Sequence, residues 1–197
     1  CIDGIGIGFL FARTLHGAMK NVAGVRQEIG VPTIFNVLGP LTNPAGADGQ
    51  VMGVFDAALV EPLAQVLLDL GARHIFVVAG SDGLDELTLP GSSLVAEGRD
   101  GQISRYEIPP DRFGLKPASI EDLKGGDPER NAAILRAVLA GEEGPCRDIV
   151  LLNAAPAMVA GGRARSLQEG VEAAAIAIDS GAAQEKLDQL IEASHDS

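Results

Sequence analysis

VMGVFDAALVEPLAQVLLDLGARHIFVVAGSDGLDE, residues 51–86, is the stretch from which the fold can be read. Its two apolar runs, Val51 to Phe55 and His74 to Ala79, are rich in branched and aromatic side chains and have strand length. The second carries Ile75, Phe76, Val77 and Val78 with no polar interruption, as expected of a strand buried on both faces. Between the runs, Glu61 to Leu70 has helical spacing. Leu63, Val66, Leu67 and Leu70 share a face, Pro62 sits near the first turn, and Gly71 stands where a left-handed residue ends a helix. Strand, helix and strand form a βαβ unit with a right-handed crossover. The unit delivers the chain to GSDGLDE, Gly80 to Glu86, at the carboxyl end of the second strand. Ligands of open α/β sheets bind at that edge.

This loop places Asp82, Asp85 and Glu86 among glycines. Carboxylates so grouped suit a hard cation such as Mg²⁺, which keeps several waters and is usually held by one or two carboxylates plus substrate phosphates. Asp-Gly is also the commonest turn dipeptide, and acidic loop residues are often simply solvated. Both readings stand at this point.

Composition narrows the partners. The chain has 197 residues, enough to bury a core, with 46% hydrophobic and 21% charged residues. A net charge of −12 argues against binding a nucleic-acid backbone, and 4% aromatics with no Trp argue against a stacking platform for single strands. A phosphate-bearing ligand would therefore be caught locally, by a metal, a few basic side chains or helix amino termini. Two cysteines, Cys1 and Cys146, cannot build a disulfide framework, and no apolar run has the length of a membrane span or a secretory signal. A cytoplasmic protein is expected. Because the chain begins with Cys1 and runs directly into patterned sequence, it reads as a fragment.

Ahead of the βαβ unit, GIGIGF lacks a preceding strand, a following Lys-Ser/Thr and dinucleotide spacing, so Gly4, Gly6 and Gly8 mark an entry turn. Phe9 to Val22 has helical spacing, with His16 and Lys20 one turn apart, and VRQEI carries Arg26 at the start of a short second helix ended by Gly30 and Pro32. TIFNVLGPLTNPAG, residues 33–46, is too broken for a long helix and too apolar for a solvent loop, so it lines a pocket or connects two layers.

Beyond the acidic loop, LVAEG and QISRYEI flank Arg99-Asp100-Gly101 and predict a hairpin, which makes the sheet mixed. Ser119 and Asp122 form a capping pattern. Gly125-Gly126-Asp127-Pro128 resembles a phosphate turn, but Asp127 as N-cap and Pro128 as first helical residue explain it as the start of a helix ending at Gly141. Ile149 to Met158 reads as a buried helix kinked by Pro156 in preference to a strand. SLQE, Ser166 to Glu169, caps a helix reaching Gly181, and Gln184 to Ala193 repeats the amphipathic pattern.

Five blocks in order, FLFARTLHGAMKNVAGVR, TIFNVLGPLTNPAG, VVAGSDGLDEL, DLKGGDPERNA and LNAAPAM, resemble anthranilate phosphoribosyltransferase over almost the whole chain from Gly6 onward. The resemblance implies an α/β fold of the nucleoside phosphorylase/phosphoribosyltransferase type. Residues 1–48 would complete a small helical domain, and residues 49–197 would form the α/β domain, a mixed, largely parallel sheet flanked by helices. It implies transfer of a phosphoribosyl group from phosphoribosyl pyrophosphate to anthranilate, with Mg²⁺ as cofactor and a homodimer, or association with a missing amino-terminal part, as the assembly.

Residue by residue, it implies that Asp85 and Glu86 hold Mg²⁺, Arg26 meets the anthranilate carboxylate, and His16, Gly39 and Pro40 line the anthranilate path. The chain departs from the family pattern at Arg13, Gly17, Pro32 and Pro156. Two family segments that bind the phosphoribosyl donor, Gly-Thr-Gly-Gly-Asp and Lys-His-Gly-Asn-Arg, are not among these residues. The 197 residues are therefore expected to hold half a site and to be inactive alone. The alternatives are a pyrimidine-nucleoside phosphorylase-like enzyme, and a non-catalytic binding or assembly protein on the same scaffold.

Overall fold

The computed structural model describes residues 1–10, 28, 35–43 and 45–195. Two compact units divide the chain: Cys1–Ala47 with Asp188–Ser197, and Asp48–Leu187.

In the first unit, α1 (Ile2–Ile5) is a single turn closed by Gly6, whose φ of 76° is the left-handed conformation that a C-cap glycine adopts without strain. The entry turn is therefore a capped one-turn helix. α2 (Phe35–Leu41) runs through Gly39 and Pro40, where the sequence suggested only a broken connection. A helix this short tolerates a proline near its end, because few backbone bonds remain to be lost. Thr42 closes it, its N–H and hydroxyl both donating to the Leu38 carbonyl at 3.0 and 2.9 Å. The expected helices between Phe9 and Gly30 lie outside the described residues, apart from Phe9, Leu10 and Glu28.

The second unit is built on a four-stranded sheet in the order β1-β2-β3-β4. β1 (Gly49–Gly53) pairs parallel to β2 (His74–Gly80), while β3 (Ser93–Arg99) and β4 (Gln102–Ile108) continue antiparallel. The sheet is mixed, as expected, but among the described strands the balance is antiparallel, because the chain returns from the acidic loop by hairpins and not by a second crossover. Asp100 (φ 50°) and Gly101 (φ 78°) form the tight turn that the Asp-Gly pair predicted, both in the left-handed region that a twisted two-residue hairpin requires.

The first strand lies two residues earlier than its apolar run suggested. Phe55 is 51% exposed and outside the ladder. Asp56 ends the extended segment by accepting a hydrogen bond from the Ala58 N–H at 2.9 Å, capping a 3-10 turn that leads into α3 (Val60–Asp69). Gly71 follows α3 with φ 97°, as the sequence required.

Helix α3 covers one face of the sheet and buries Val60, Leu63, Ala64 and Leu67. α4 (Ile120–Leu123) is held by the Ser119–Asp122 capping box, and α5 (Pro128–Leu139) by Asp127, which accepts from the Arg130 N–H at 2.8 Å. α6 (Pro145–Ala160) covers the other face of the sheet. It is one helix with Pro156 inside it, in keeping with the reading of Ile149 to Met158 as helix in preference to strand. Leu152 and Val159 of α6 join Phe76, Val78, Leu87, Leu89, Val95 and Ile108 in the central core. A further layer, α7 (Leu167–Asp179), packs on α6 so closely that a β-carbon at Gly170 would lie 2.7 Å from the Ala155 carbonyl. Ser166 caps α7, but Glu169 accepts from the N–H of Arg165 and not that of Ser166, so the reciprocal half of the capping box is displaced by one residue. Arg147 and Asp179 join α6 to the end of α7 through a bidentate pair at 2.7 and 3.0 Å. α8 (Ala182–His195) follows α7. Among the described residues, no helix is long and apolar enough to cross a membrane.

Candidate functional site

Strand β2 is buried from Ile75 to Ala79, and it ends where the acidic loop begins. The loop is tied at several points. The Gly80 N–H donates to the Leu84 carbonyl at 3.0 Å, and the Gly83 N–H to the Gly80 carbonyl at 3.1 Å. Gly83, with φ 84°, makes the left-handed step that a side chain would resist. A β-carbon on Gly80 would collide with the Asp82 carboxylate, so the glycine is needed for the loop to fold back on its own strand.

Asp82 uses its carboxylate inside the loop. One oxygen accepts from the Leu84 N–H at 3.1 Å, and the other accepts the Thr88 hydroxyl. Thr88 is fully buried, and its N–H donates to the Ser93 hydroxyl at 2.8 Å at the start of β3. Asp82 therefore organises the loop. The sequence places it beside Asp85 and Glu86 as a third loop carboxylate; in the structure one hydrogen bond engages each of its oxygens, which ties it to the loop more than its two neighbours are tied. Consistently, among the described residues no group of three or more His, Cys, Asp or Glu is placed to hold a metal ion.

Asp85 and Glu86 remain as an adjacent pair, Asp85 exposed and Glu86 half-buried. Burial pushes the Glu86 carboxyl above the usual carboxylate range, and the nearby charges of Asp85 and Asp82 push it further. By chemistry, two adjacent carboxylates supply the oxygen donors of a hard divalent cation that completes its shell with water and phosphate, so the donor set fits such a cation. The backbone beneath the pair is fixed from both sides. Gly53, the last residue of β1, lies directly against the Asp85 carbonyl. The Asn153 side chain of α6 accepts from the Leu87 N–H and donates to the Leu87 carbonyl, each at 2.8 Å.

Of the other residues singled out in the sequence, Gly39 and Pro40 sit in α2 of the first unit, Gly39 half-buried and Pro40 exposed. His16 and Arg26 lie outside the described residues. Asn153 was missed as an individual residue, although its signal is present: a lone amide in the otherwise apolar run IVLLNAAPAM demands hydrogen-bond partners when buried.

A cavity of about 500 Å³ opens elsewhere on the same unit, lined by Phe76, Tyr106, Phe113, Val159 and Leu167 together with Arg112 and Arg165. Glu97 projects there and accepts the Tyr106 hydroxyl at 2.9 Å, while its other oxygen meets His74 Nε2 at 2.8 Å. Burial and the hydrogen bond to Glu97 hold the Tyr106 phenol above its usual range. No residue of the acidic loop lines this cavity.

The second unit is thus a mixed sheet with helices on both faces and a carboxylate pair in the loop that follows β2, and a fold of this kind hosts many chemistries. The sequence pattern described as the glycosyl transferase family, a/b domain, matches residues 1–184, and the chain belongs to that family. Curated relatives carry the name anthranilate phosphoribosyltransferase: that of Symbiobacterium thermophilum is 53% identical over 99% of this chain and 57% of its own length. That of Geobacter sp. is 56% identical over 95% of this chain and 53% of its own. Among solved structures, the anthranilate phosphoribosyltransferase of Thermus thermophilus superposes with a TM-score of 0.90 at 48% identity, over 97% of this chain and 56% of that one. The Saccharomyces cerevisiae enzyme in complex with PRPP and Mg superposes with a TM-score of 0.83 at 28% identity, over 92% of this chain and 53% of that one. The chain spans little more than half the length of the relatives it matches.

Proposed function

We propose that the chain supplies the metal-holding part of an anthranilate phosphoribosyltransferase, which transfers the 5-phosphoribosyl group from phosphoribosyl pyrophosphate to anthranilate in tryptophan biosynthesis. The observation that carries the reading is the identity of 53% across 99% of the chain to an enzyme of that name, on a domain whose carboxylate pair, Asp85 exposed and Glu86 half-buried, lies in the loop after a buried strand. Asp85 and Glu86 hold the cation. When bound, Mg²⁺ neutralises charge that develops on the departing pyrophosphate. The chain's own contribution is orientation: the tied loop keeps both carboxylates at the sheet edge without reorganisation when the donor arrives, which is where most of the benefit of a positioned site lies.

Arg26 receives the anthranilate carboxylate through the two parallel hydrogen bonds that a guanidinium forms with a planar acid, and His16, Gly39 and Pro40 line the acceptor's path. The same reading places the enzyme in the cytoplasm as a homodimer, with residues 1–48 as part of a helical domain and residues 49–197 as the α/β domain. The donor-binding segments implied by the resemblance are absent from these residues, so a polypeptide of residues 1–197 alone is inactive.

The test is a turnover assay of the full polypeptide with both substrates, following loss of anthranilate fluorescence and release of pyrophosphate. Transfer that requires both substrates and a divalent cation supports the reading. Phosphorolysis of a pyrimidine nucleoside without transfer to anthranilate overturns it.

A further inference from the structure

Asn153 sits on α6, 66 residues from Leu87, yet its amide meets both backbone groups of that residue. A planar side-chain amide presents an acceptor and a donor side by side, the same pair that a neighbouring strand would offer, and here it takes the place of a strand partner for the residue directly after Glu86. The remaining amide hydrogen donates to the Ile149 carbonyl one turn back at 3.1 Å, so the side chain is locked to its own helix while it grips the loop. The helix itself is anchored against the sheet by Leu152 and Val159 in the central core. The chain of contacts therefore runs from a rigid core element, through Asn153, to the peptide joining Glu86 and Leu87.

We propose that Asn153 is a positioning residue for the metal-holding pair, fixing where the Glu86 carboxylate points by clamping the adjoining peptide to helix α6. The inference rests on the reading of Asp85 and Glu86 as cation ligands. Its chemistry is that of groups behind a ligand, which set the ligand's orientation without touching the ion, and whose loss typically lowers metal affinity by about 10- to 100-fold. Other tie points hold the front of the loop: Asp82 to Leu84 and Thr88, and Gly80 to Leu84. Among the described contacts, those of Asn153 reach the peptide immediately after Glu86 from a separate helix. A loop without them keeps its turn but lets Glu86 swing.

The experiment uses the full polypeptide with Asn153→Leu, which removes both contacts at similar volume, and Asn153→Gln, which keeps the amide and displaces it by one methylene. Leu151→Ala serves as a control, because Leu151 is buried on the far side of α6 against α7 and its loss destabilises without reaching the loop. Glu86→Gln reports on the ligand assignment itself. Mn²⁺ is the probe, its binding in the presence of phosphoribosyl pyrophosphate read by electron paramagnetic resonance, beside thermal melting, the KM for anthranilate and hydrogen exchange at the Leu87 amide.

Both Asn153 variants are expected to weaken Mn²⁺ binding about tenfold. They should also speed exchange at Leu87 and leave the anthranilate KM within about twofold, a split that separates positioning from general loss of binding. Leu151→Ala should melt lower with unchanged Mn²⁺ affinity. If the Asn153 variants behave like Leu151→Ala while Glu86→Gln weakens Mn²⁺, Asn153 is merely structural and the proposal is overturned. If Glu86→Gln also leaves Mn²⁺ binding intact, the ligand assignment fails and takes the proposal with it.

Discussion

Gly53 and Asp85 meet backbone to backbone: the Cα of the last residue of β1 lies under the Asp85 carbonyl with no room for a β-carbon. A side chain there would strike backbone, which cannot rotate away. Gly53→Ala is therefore expected to displace the acidic loop, costing about 1–3 kcal/mol as overpacking does and lowering cation affinity together with stability. Thermal melting and Mn²⁺ titration check it. A variant that melts normally with native affinity would show that strand and loop have slack between them.

The charge on Glu86 gives a pH dependence of defined sign. Its folded-state pKa lies above the ordinary value, first through burial and then through Asp85 and Asp82. The folded state therefore holds this proton more tightly than the unfolded chain. The favourable contribution is fully present below the ordinary glutamate range and is lost as pH rises through the raised value. Metal-free protein is expected to lose melting temperature over that window by an amount that Glu86→Gln abolishes, and a divalent cation should recover part of the loss at neutral pH. A pH profile identical in wild type and Glu86→Gln would contradict the local account.

Much of this architecture was legible because its signals are local. The buried run at His74, the helix with Gly71 behind it, the Asp-Gly hairpin and the Asp127-Pro128 helix start depend on residues within a turn or two, where backbone sterics and capping decide. The features that set the site are not local. Whether Asp82 faces a cation or the Thr88 hydroxyl depends on how the chain returns to β3, and nothing in GSDGLDE alone distinguishes an organiser from a ligand. The Asn153 clamp joins positions 66 residues apart, so only the packed helix brings it into view. The strand boundary at Gly53 was misplaced for the opposite reason: the apolar pattern continues to Phe55, but Asp56 bends the chain before the ladder can follow.

Arg26 is proposed to meet the acceptor's carboxylate, and a lysine cannot replace its fork. A point charge on a flexible stem retains the attraction but loses the paired geometry. In the full polypeptide, Arg26→Lys is expected to raise the KM for anthranilate about tenfold or more, and that for phosphoribosyl pyrophosphate much less. Steady-state kinetics with each substrate varied in turn decides it. Equal effects on both substrates would place Arg26 outside the acceptor site.

The division of labour among the three loop carboxylates yields the sharpest contrast. Asp85 and Glu86 present oxygens that no described hydrogen bond engages, whereas both oxygens of Asp82 are held by Leu84 and Thr88. Replacing Asp85 by Asn together with Glu86 by Gln removes the charges a cation needs while leaving the turn intact. That double variant should melt no lower than the metal-free wild type at neutral pH, because replacing the half-buried Glu86 carboxylate by an amide removes a charge that burial disfavours, and should lose most of its turnover at fixed Mg²⁺. Asp82→Asn should do the reverse. Its retained carbonyl oxygen can still accept from the Leu84 N–H, but the charge-assisted bond from the Thr88 hydroxyl is gone, a loss of about 1–3 kcal/mol for a partly buried contact. Melting temperature should fall while the Mg²⁺ concentration for half-maximal rate moves far less than in the double variant. Measuring both quantities on both variants tests the assignment in one comparison: a large Mg²⁺ shift in Asp82→Asn with none in the double variant would exchange the roles of organiser and ligand.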